Sequence, residues 1–328
     1  MARAWLLKSR PQGLPSDDNF ALETVDLPPV EDGLVHVRNR WLSVDPYMRG
    51  RMNDVKSYVP PFALGAPMDG GAVGEVIASK AAGFAPGDLV LHMAGWRDEA
   101  VLPAAALTKL PDLGAAPQLY LGMLGLTGAT AYFGLVDAAA AKAGEIVFVS
   151  AAAGAVGSAV VQIAKAKGMT VIGSAGGAAK CDFVRSLGAD RVVDYRAAPI
   201  LKGLAAAAPK GIDVYFDNVG GDHLDAALAL ARNNARFAIC GMIAGYNEAK
   251  PTQLRYLLRV IAARIRIQGF LVLDFQTRMK DFYREMGPWL ASGAVTSHVT
   301  VVDGLDAMPD AFRGLFSGAN TGKMLVRL

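Results

Sequence analysis

Two rhythms of apolar and polar positions divide this chain. Up to about residue 110, apolar residues alternate or form short runs broken by turn residues. Residues 35–44 (Val-His-Val-Arg-Asn-Arg-Trp-Leu-Ser-Val) alternate as a half-buried strand does. Residues 74–78 and 88–92 read as further short strands, bounded by glycine and by Pro86-Gly87. Between them, residues 45–52 (Asp-Pro-Tyr-Met-Arg-Gly-Arg-Met) fit no regular period. Tyr47, Arg49 and Arg51 in this stretch are either solvated loop residues or part of a site, since loops carry such residues in both roles.

The texture changes from Leu119. A Gly-, Ala- and Leu-rich stretch to residue 136 is suited to close packing against a neighbour. Strand–helix units follow, with strands over 146–149, 170–174, 191–195, 211–217 and 236–241. Helices are expected over 158–167, 180–188 and 222–231. Such alternation specifies a doubly wound parallel sheet. Residues 253–266 read as a basic amphipathic helix and 269–273 as a strand. The tail, 299–328, holds two short apolar runs. Domains are therefore expected over 1–120, completed by 291–328, and over 121–290.

The stretch that organises the rest runs from Glu145 to Gly168. Its β-branched run turns through small residues and continues with helical spacing to a terminal glycine. In a dinucleotide-binding unit of this kind, glycines let the backbone approach a pyrophosphate, and the helix N-terminus supplies N–H donors. Gly154 and Gly157 occupy the second and third positions of G-x-G-x-x-G, with Ala152 in the first. Residues 146–164 are uncharged and long enough to span a bilayer. The Gly/Ala centre, however, separates a strand-like run from a helix-like one, and a strand covered on both faces is apolar for its own reason.

Composition narrows the classes. A chain of 328 residues with 52% hydrophobic and 19% charged residues is globular and long enough for two cores. A net charge of +3 without a Lys/Arg cluster argues against a nucleic-acid partner. Two isolated cysteines, Cys181 and Cys240, make neither a disulfide framework nor a zinc cluster. With no signal-peptide pattern, the expectation is a cytoplasmic protein with no membrane partner.

Cofactor choice is read at the end of the second strand of the nucleotide unit. An NAD-specific fold carries an acid there for the adenosine ribose. Residues 171–176 (Val-Ile-Gly-Ser-Ala-Gly) hold none, and Lys180 follows, with Arg185 further along. Absence of a carboxylate and presence of a cation favour a 2′-phosphate, hence NADPH/NADP. The alternative is a solvated lysine in the first turn of a helix.

Several stretches now form an ordered set. They are Leu42-Ser-Val-Asp-Pro-Tyr-Met-Arg-Gly-Arg-Met52, Ala131-Tyr-Phe-Gly-Leu135, Ser150-Ala-Ala-Ala-Gly-Ala-Val-Gly157, Phe216-Asp-Asn-Val-Gly-Gly221, Cys240-Gly-Met-Ile243, Gly269-Phe-Leu-Val272 and Asn320-Thr-Gly-Lys323. With them the chain resembles the zinc-independent medium-chain dehydrogenase/reductases, in the NADP-dependent alkenal/one oxidoreductase and prostaglandin reductase branch. The resemblance implies an α/β fold, with a GroES-like β-rich catalytic domain plus a Rossmann domain, a site in the cleft, and a homodimer formed through the Rossmann domain. It implies cofactor contacts at Gly154, Ala155 and Val156 for the pyrophosphate, and at Lys180 and Tyr195 for the 2′-phosphate. Thr127, Asn218, Cys240, Phe270, Val272 and Asn320 fall in segments along the cofactor's path. Tyr246 resembles the tyrosine beside the nicotinamide and substrate carbonyl, and Tyr47 a substrate-pocket tyrosine.

No zinc site is expected. Catalytic zinc needs Cys, His or Asp-type ligands, and the N-terminal domain has no cysteine and only His36 and His92. Without a metal to polarise a carbonyl, conjugate reduction is the natural chemistry: hydride to the β-carbon of an enal or enone, with the developing oxyanion met by Tyr246 or a ribose hydroxyl. The alternatives are a quinone reductase of the same superfamily and an NADPH-binding protein without turnover, with a zinc alcohol dehydrogenase behind both. Cys240 reads as a small packing residue, and His223 and His298 as surface residues.

Overall fold

The computed structural model describes residues 1–111, 115–250 and 252–328 and divides into two compact units. One comprises Met1–Leu121, Val299–Asn320 and Met324–Leu328; the other comprises Gly122–His298 and Thr321–Lys323.

The first unit is β-rich. Strands β1 (Ala2–Leu7) and β2 (Phe20–Val25) form an antiparallel pair. Strands β3 (Leu34–Ser43), β4 (Ala72–Ser79), β5 (Leu89–His92), β6 (Glu99–Pro103) and β7 (Thr108–Lys109) belong to a second, larger sheet. The 45–52 stretch that showed no period is one turn of helix, α1 (Tyr47–Arg51), with Pro46 at its N-cap. Five residues are too few for a helical repeat to show in sequence.

The second unit starts with α2 (Leu126–Phe133), which runs into a π-helical turn over Gly134–Ala138. Its sheet carries β8 (Ile146–Val149), β9 (Thr170–Ala175), β10 (Arg191–Asp194), β11 (Ile212–Asp217), β12 (Ala231–Ile239) and β13 (Arg266–Gly269). Helices α3 (Ala155–Ala166), α4 (Ala178–Ser186), α5 (Ile200–Ala207) and α6 (Gly221–Leu230) connect the first five strands. The order β10-β9-β8-β11-β12-β13 reverses between β8 and β11, and the sheet's strand pairs are parallel. This is the doubly wound sheet expected from the alternating pattern. Phe148 on β8 stacks on Tyr215 of β11 at 5.0 Å, which meets Phe237 of β12 edge-on at 5.3 Å.

Residues 253–273 depart from expectation. The helix there is short, α7 (Arg259–Ala262), the strand is β13, and Val272–Arg278 is a 3-10 segment. Two basic residues that suggested a long polar face are used elsewhere. Arg255 pairs with the buried Asp225, Arg259 donates to the Ala231 carbonyl, and Arg264 takes a φ of +52°, which stops the helix. Helix α8 (Met279–Ala291) follows.

The tail returns to the first unit through β14 (Val299–Asp303), α9 (Met308–Ser317) and β15 (Lys323–Arg327). In the larger sheet the order is β14-β15-β3-β4-β5-β7, with β6 also on β3. Phe312 of α9 packs edge-on against the fully buried Trp96, which stacks on Phe20, so the tail completes this core. Among the described residues no helix is long and apolar enough to cross a membrane.

Candidate active site

The carboxyl ends of β8 and β11, where the strand order reverses, are where an open α/β sheet holds a ligand. Two contacts shape the turn after β8. Ala151 takes φ +47°, and its carbonyl oxygen points back toward α3. A Cβ on residue 157 would lie 2.2 Å from that oxygen, and one on residue 154 would lie 3.2 Å from it. Glycine is thus required at 157 and nearly so at 154. Gly154 caps α3 with no side-chain hydrogen bond, so the first N–H groups of the helix are left for an anion to meet. Ala152 occupies the first fingerprint position because the neighbouring strand makes room. A Cβ on Gly173 would stand 2.9 Å from that of Ala152.

The end of β11 is tied down by one buried carboxylate. Asp217 Oδ1 accepts from the Tyr215 and Ser150 hydroxyls and from the N–H groups of Val219 and Gly220. Burial holds its pKa above the usual carboxylate value against those bonds. Asn218 donates its side-chain amide to the Ser150 carbonyl at 2.8 Å and its backbone N–H to the Ser150 hydroxyl at 2.9 Å. Ser150 and Asp217 therefore lock β8 to β11 and fix Asn218 at the switch point. The backbone N–H groups of Cys240 and Gly241 bond the Asp217 carbonyl at 2.9 and 3.0 Å, which brings the end of β12 to the same place.

Beyond β12 the chain loops back, and the Tyr246 hydroxyl accepts the Met242 N–H at 3.2 Å. It also hangs over Gly241, where a Cβ would be 3.1 Å from that oxygen. Burial, helped by the charge of Asp217, pushes the Cys240 thiol up to about 12, so it packs and does not ionise. Within the same unit, Gly322 of Thr321–Lys323 meets the glycine turn. Gly322 donates to the Ala153 carbonyl at 2.8 Å and forms a bridge with Gly154.

A second cluster lies at the ends of β9 and β10. Gly176 leaves space for two side chains, since a Cβ there would meet Tyr195 Oη at 2.7 Å and Arg196 Nε at 3.0 Å. Asp194 Oδ1 accepts from the N–H groups of Gly177 and Arg196, both at 2.9 Å, and so pins the two loops together. The Lys180 ammonium is held below its ordinary pKa by burial and by the neighbouring Arg196 charge. Arg185, the other cation of this helix, pairs instead with Asp182 on the surface.

Other expected contacts fall in varied settings. Thr127 is buried with its hydroxyl donating to the Gly122 carbonyl at 2.9 Å. Phe270 fills the notch left by Gly134 and meets Phe216 edge-on at 6.1 Å. Val272 opens the 3-10 segment. Asn320 and Tyr47 belong to the β-rich unit. In that unit, Arg49 is buried and structural, bonding the Pro11 and Gly13 carbonyls and Asn53. Arg51 lies over Phe62 at 4.0 Å and pairs with Asp69. Tyr47 has a buried hydroxyl without a hydrogen-bond partner among the described residues, and burial together with Asp45 raises its pKa. It is a neutral hydroxyl with hydrogen-bonding capacity to offer.

His223 is not a surface residue. It is 7% exposed, its ring meets Tyr195 edge-on at 5.2 Å, and Nε2 has no partner among the described residues. The positive-φ pair Gly220-Gly221 starts α6, and His223 in its first turn reaches the Tyr195 ring. His298, by contrast, is exposed. Ser150, Arg196 and His223 were missed by sequence reasoning. Only Arg196 carried a signal, as the cation directly after Tyr195.

Comparison with known proteins fits this arrangement. Residues 3–110 match the family described as the N-terminal domain of oxidoreductase, and residues 155–292 the family described as zinc-binding dehydrogenase. The NADPH-dependent curcumin reductase of Escherichia coli (strain K12) is 43% identical over 99% of this chain and 96% of its own length. The 2-alkenal reductase (NADP(+)-dependent) of Nicotiana tabacum is 40% identical over 98% of this chain and 96% of its own. The chain belongs to the alkenal/one oxidoreductase branch of the medium-chain dehydrogenases/reductases. For this family the crystal structure of CurA from Vibrio vulnificus in complex with NADPH superposes with a TM-score of 0.94. It shares 41% identity, covering 99% of this chain and 98% of that one. The description of the second family names zinc. Residues 155–292 contain Cys181, Cys240 and His223, and among the described residues no three His, Cys, Asp or Glu side chains could hold a metal ion.

Proposed function

We propose that this chain is an NADPH-dependent reductase of the C=C bond of α,β-unsaturated aldehydes and ketones. The observation that carries the reading is the combination, at the switch point, of a glycine-lined cradle at 151–157 with a tyrosine hydroxyl, Tyr246, held over Gly241. The names of the relatives support it, since they reduce curcumin and 2-alkenals with NADPH or NADP(+) as cofactor.

The residues present fit the dinucleotide. A cradle that a Cβ at 157 would fill, the first N–H groups of α3, and the cation at Lys180 suit a pyrophosphate and a 2′-phosphate. Gly154, Ala155 and Val156 would hold the former, and Lys180 with Tyr195 the latter. Asn218, Cys240, Phe270, Val272, Thr127 and Asn320 would line the rest. When bound, NADPH supplies a hydride to the β-carbon of the substrate. Negative charge would develop on the carbonyl oxygen, to which the Tyr246 O–H would donate, and a proton added at the α-carbon from solvent or a tyrosine would complete the saturated product. The bond from Met242 N–H to that hydroxyl helps fix the oxygen in place. Tyr47 would offer its buried hydroxyl to the substrate.

We further infer a homodimer. Strand β13 is a sheet edge with all four residues exposed, and Leu258 and Ile261, a few residues earlier in the chain, are 79% and 77% exposed. An open edge with apolar neighbours is a surface that a second copy would cover. The reading expects a cytoplasmic enzyme, where Cys181 and Cys240 stay reduced.

The test is NADPH oxidation with a medium-chain trans-2-alkenal, with NADH in parallel and the product identified. A saturated aldehyde formed much faster with NADPH is expected. An allylic alcohol, or no turnover with any enal, enone or curcumin, would overturn the reading.

A further inference from the structure

We propose that Arg278 is a positioning residue for the reduction: it clamps residues 270–278 onto the π-helical turn that ends α2, and so fixes where Phe270 and Val272 stand at the carboxyl end of β13. The inference deepens the reductase reading above and rests on it. In an open parallel sheet the carboxyl ends of the strands hold the ligand. The chain leaves β13 at that end, beside β12, and Phe270 enters the notch at Gly134, edge-on to Phe216 at 6.1 Å. Whatever holds the residues that follow therefore sets the wall of the site that Phe270 and Val272 supply.

That stretch has little burial of its own. Val272–Arg278 is a 3-10 segment in which no residue is buried, so its anchorage comes from a few side chains. Phe275 stacks on the fully buried Phe133 of α2, with centroids 4.6 Å apart and planes 8° from parallel. The Arg278 guanidinium lies 5.4 Å from the Phe133 centroid and 6.0 Å from that of Phe275, and it pairs with Asp137 in the π-helical turn. A planar, delocalised cation can stack on the rings and hold the carboxylate together. A lysine would keep the charge and lose the stacking.

The helix to which Arg278 belongs gives no reason for a cation there. Arg278 stands at the N-cap of α8, the helix end where positive charge is disfavoured. Asp281 in the first turn accepts from its Nε at 3.2 Å, and the same guanidinium extends to Asp137. Helix α8 has separate ties to α2. The Tyr132 hydroxyl donates to Glu285 at 2.8 Å, and the buried Phe282 meets the Tyr132 ring edge-on at 5.8 Å. The clamp is thus local: its removal frees the 3-10 segment while α8 stays docked. The pyrophosphate and adenosine contacts proposed at Gly154, Ala155, Val156 and Lys180 lie on other elements, so nucleotide affinity should survive a loss that disturbs the geometry of transfer.

The experiment compares the full-length protein with Arg278→Ala, Arg278→Lys and Phe275→Leu in three readouts: amide hydrogen exchange, NADPH binding by nicotinamide fluorescence, and kcat with a trans-2-alkenal. Arg278→Ala should speed exchange over 270–278 by about 10-fold and leave α8 within about twofold. It should lower kcat about 10-fold, the scale of a small misplacement of reacting groups, and change the NADPH dissociation constant less than about twofold. Phe275→Leu should reproduce this pattern, and Arg278→Lys should recover part of kcat. Unchanged exchange over 270–278 would overturn the clamp. Faster exchange with full kcat would leave Arg278 a purely structural residue, and equal losses of kcat and NADPH affinity would make it a support of the nucleotide fold; either result overturns the inference. Wild-type protein that binds NADPH and reduces no enal or enone would defeat the reductase reading and this inference with it, whereas unaffected variants of an active wild type would defeat the inference alone.

Discussion

The Tyr246 hydroxyl accepts the backbone N–H of Met242, four residues before it, at 3.2 Å. That bond closes the loop after β12, and it allows two distinct consequences of removing the oxygen. If the hydroxyl only closes the loop, Tyr246→Phe lowers stability and leaves turnover intact. If it also donates to the substrate oxyanion, turnover falls by about 100-fold or more, the scale for deleting one such donor. We expect the second, with the dissociation constant of NADPH changed less than about twofold. Steady-state kinetics with a trans-2-alkenal, alongside thermal unfolding, separates the two. A variant with full kcat would remove Tyr246 from the chemistry.

Two glycines should respond unequally to one added methyl group. At 157 the new Cβ would meet the Ala151 carbonyl at 2.2 Å, and neither backbone can yield without opening the turn after β8. Gly157→Ala should cost about 1–3 kcal/mol in denaturant unfolding and should abolish measurable NADPH binding. Gly287 sits inside α8 with nothing within 4 Å of its Cβ position. Gly287→Ala should change stability by less than about 1 kcal/mol, because the helix propensity gained is opposed by the new Cβ meeting the ring of Pro288, and should leave activity unchanged. Equal effects at both positions would show that the cradle at 157 is not constrained as described.

How much of this was legible in the chain depends on range. The strand–helix units showed because each is local: an apolar run for a strand covered on both faces, then a helix ended by its own glycine, as at Gly168 and Gly188. Lys180 was read from its place after the second strand of the unit, and Tyr195 from the family resemblance. Arg196 and His223 were not read, because their side-chain contacts, with Gly176 and with the Tyr195 ring, join positions that no local spacing connects. The 253–273 stretch misled for a related reason. Its arginines were counted as the polar face of a helix, whereas Arg255 and Arg259 reach back to Asp225 and Ala231.

The exposed edge of the nucleotide sheet gives a prediction about assembly. Ile267 lies on β13 and is 40% exposed, and Leu258 and Ile261, shortly before it in the chain, are exposed apolar residues too. Wild-type protein should sediment at twice the 34.4 kDa chain mass. Ile267→Lys combined with Ile261→Lys places charge on the edge and should shift it to monomer, with the fold retained by circular dichroism. A wild-type monomer at micromolar concentration would remove the dimer from the proposal.

Two buried histidines predict how stability changes with acidity. Burial lowers His92 and His223 from 6.5 to about 4, and in each the Nε2 atom lacks a partner among the described residues. Both are therefore neutral in the native state down to about pH 4, whereas in the unfolded chain they take up protons below 6.5. Between those values the unfolded state binds more protons, so stability rises with pH across the window. It is complete above about pH 6.5 and is lost progressively as pH falls toward 4. At pH 5 each histidine should account for about 2 kcal/mol of that loss. Urea unfolding at pH 8 and pH 5 measures the wild-type slope. His92→Gln and His223→Gln, which cannot titrate, should each flatten it by about half of their joint share. A double variant as acid-sensitive as the wild type would assign the loss to other groups.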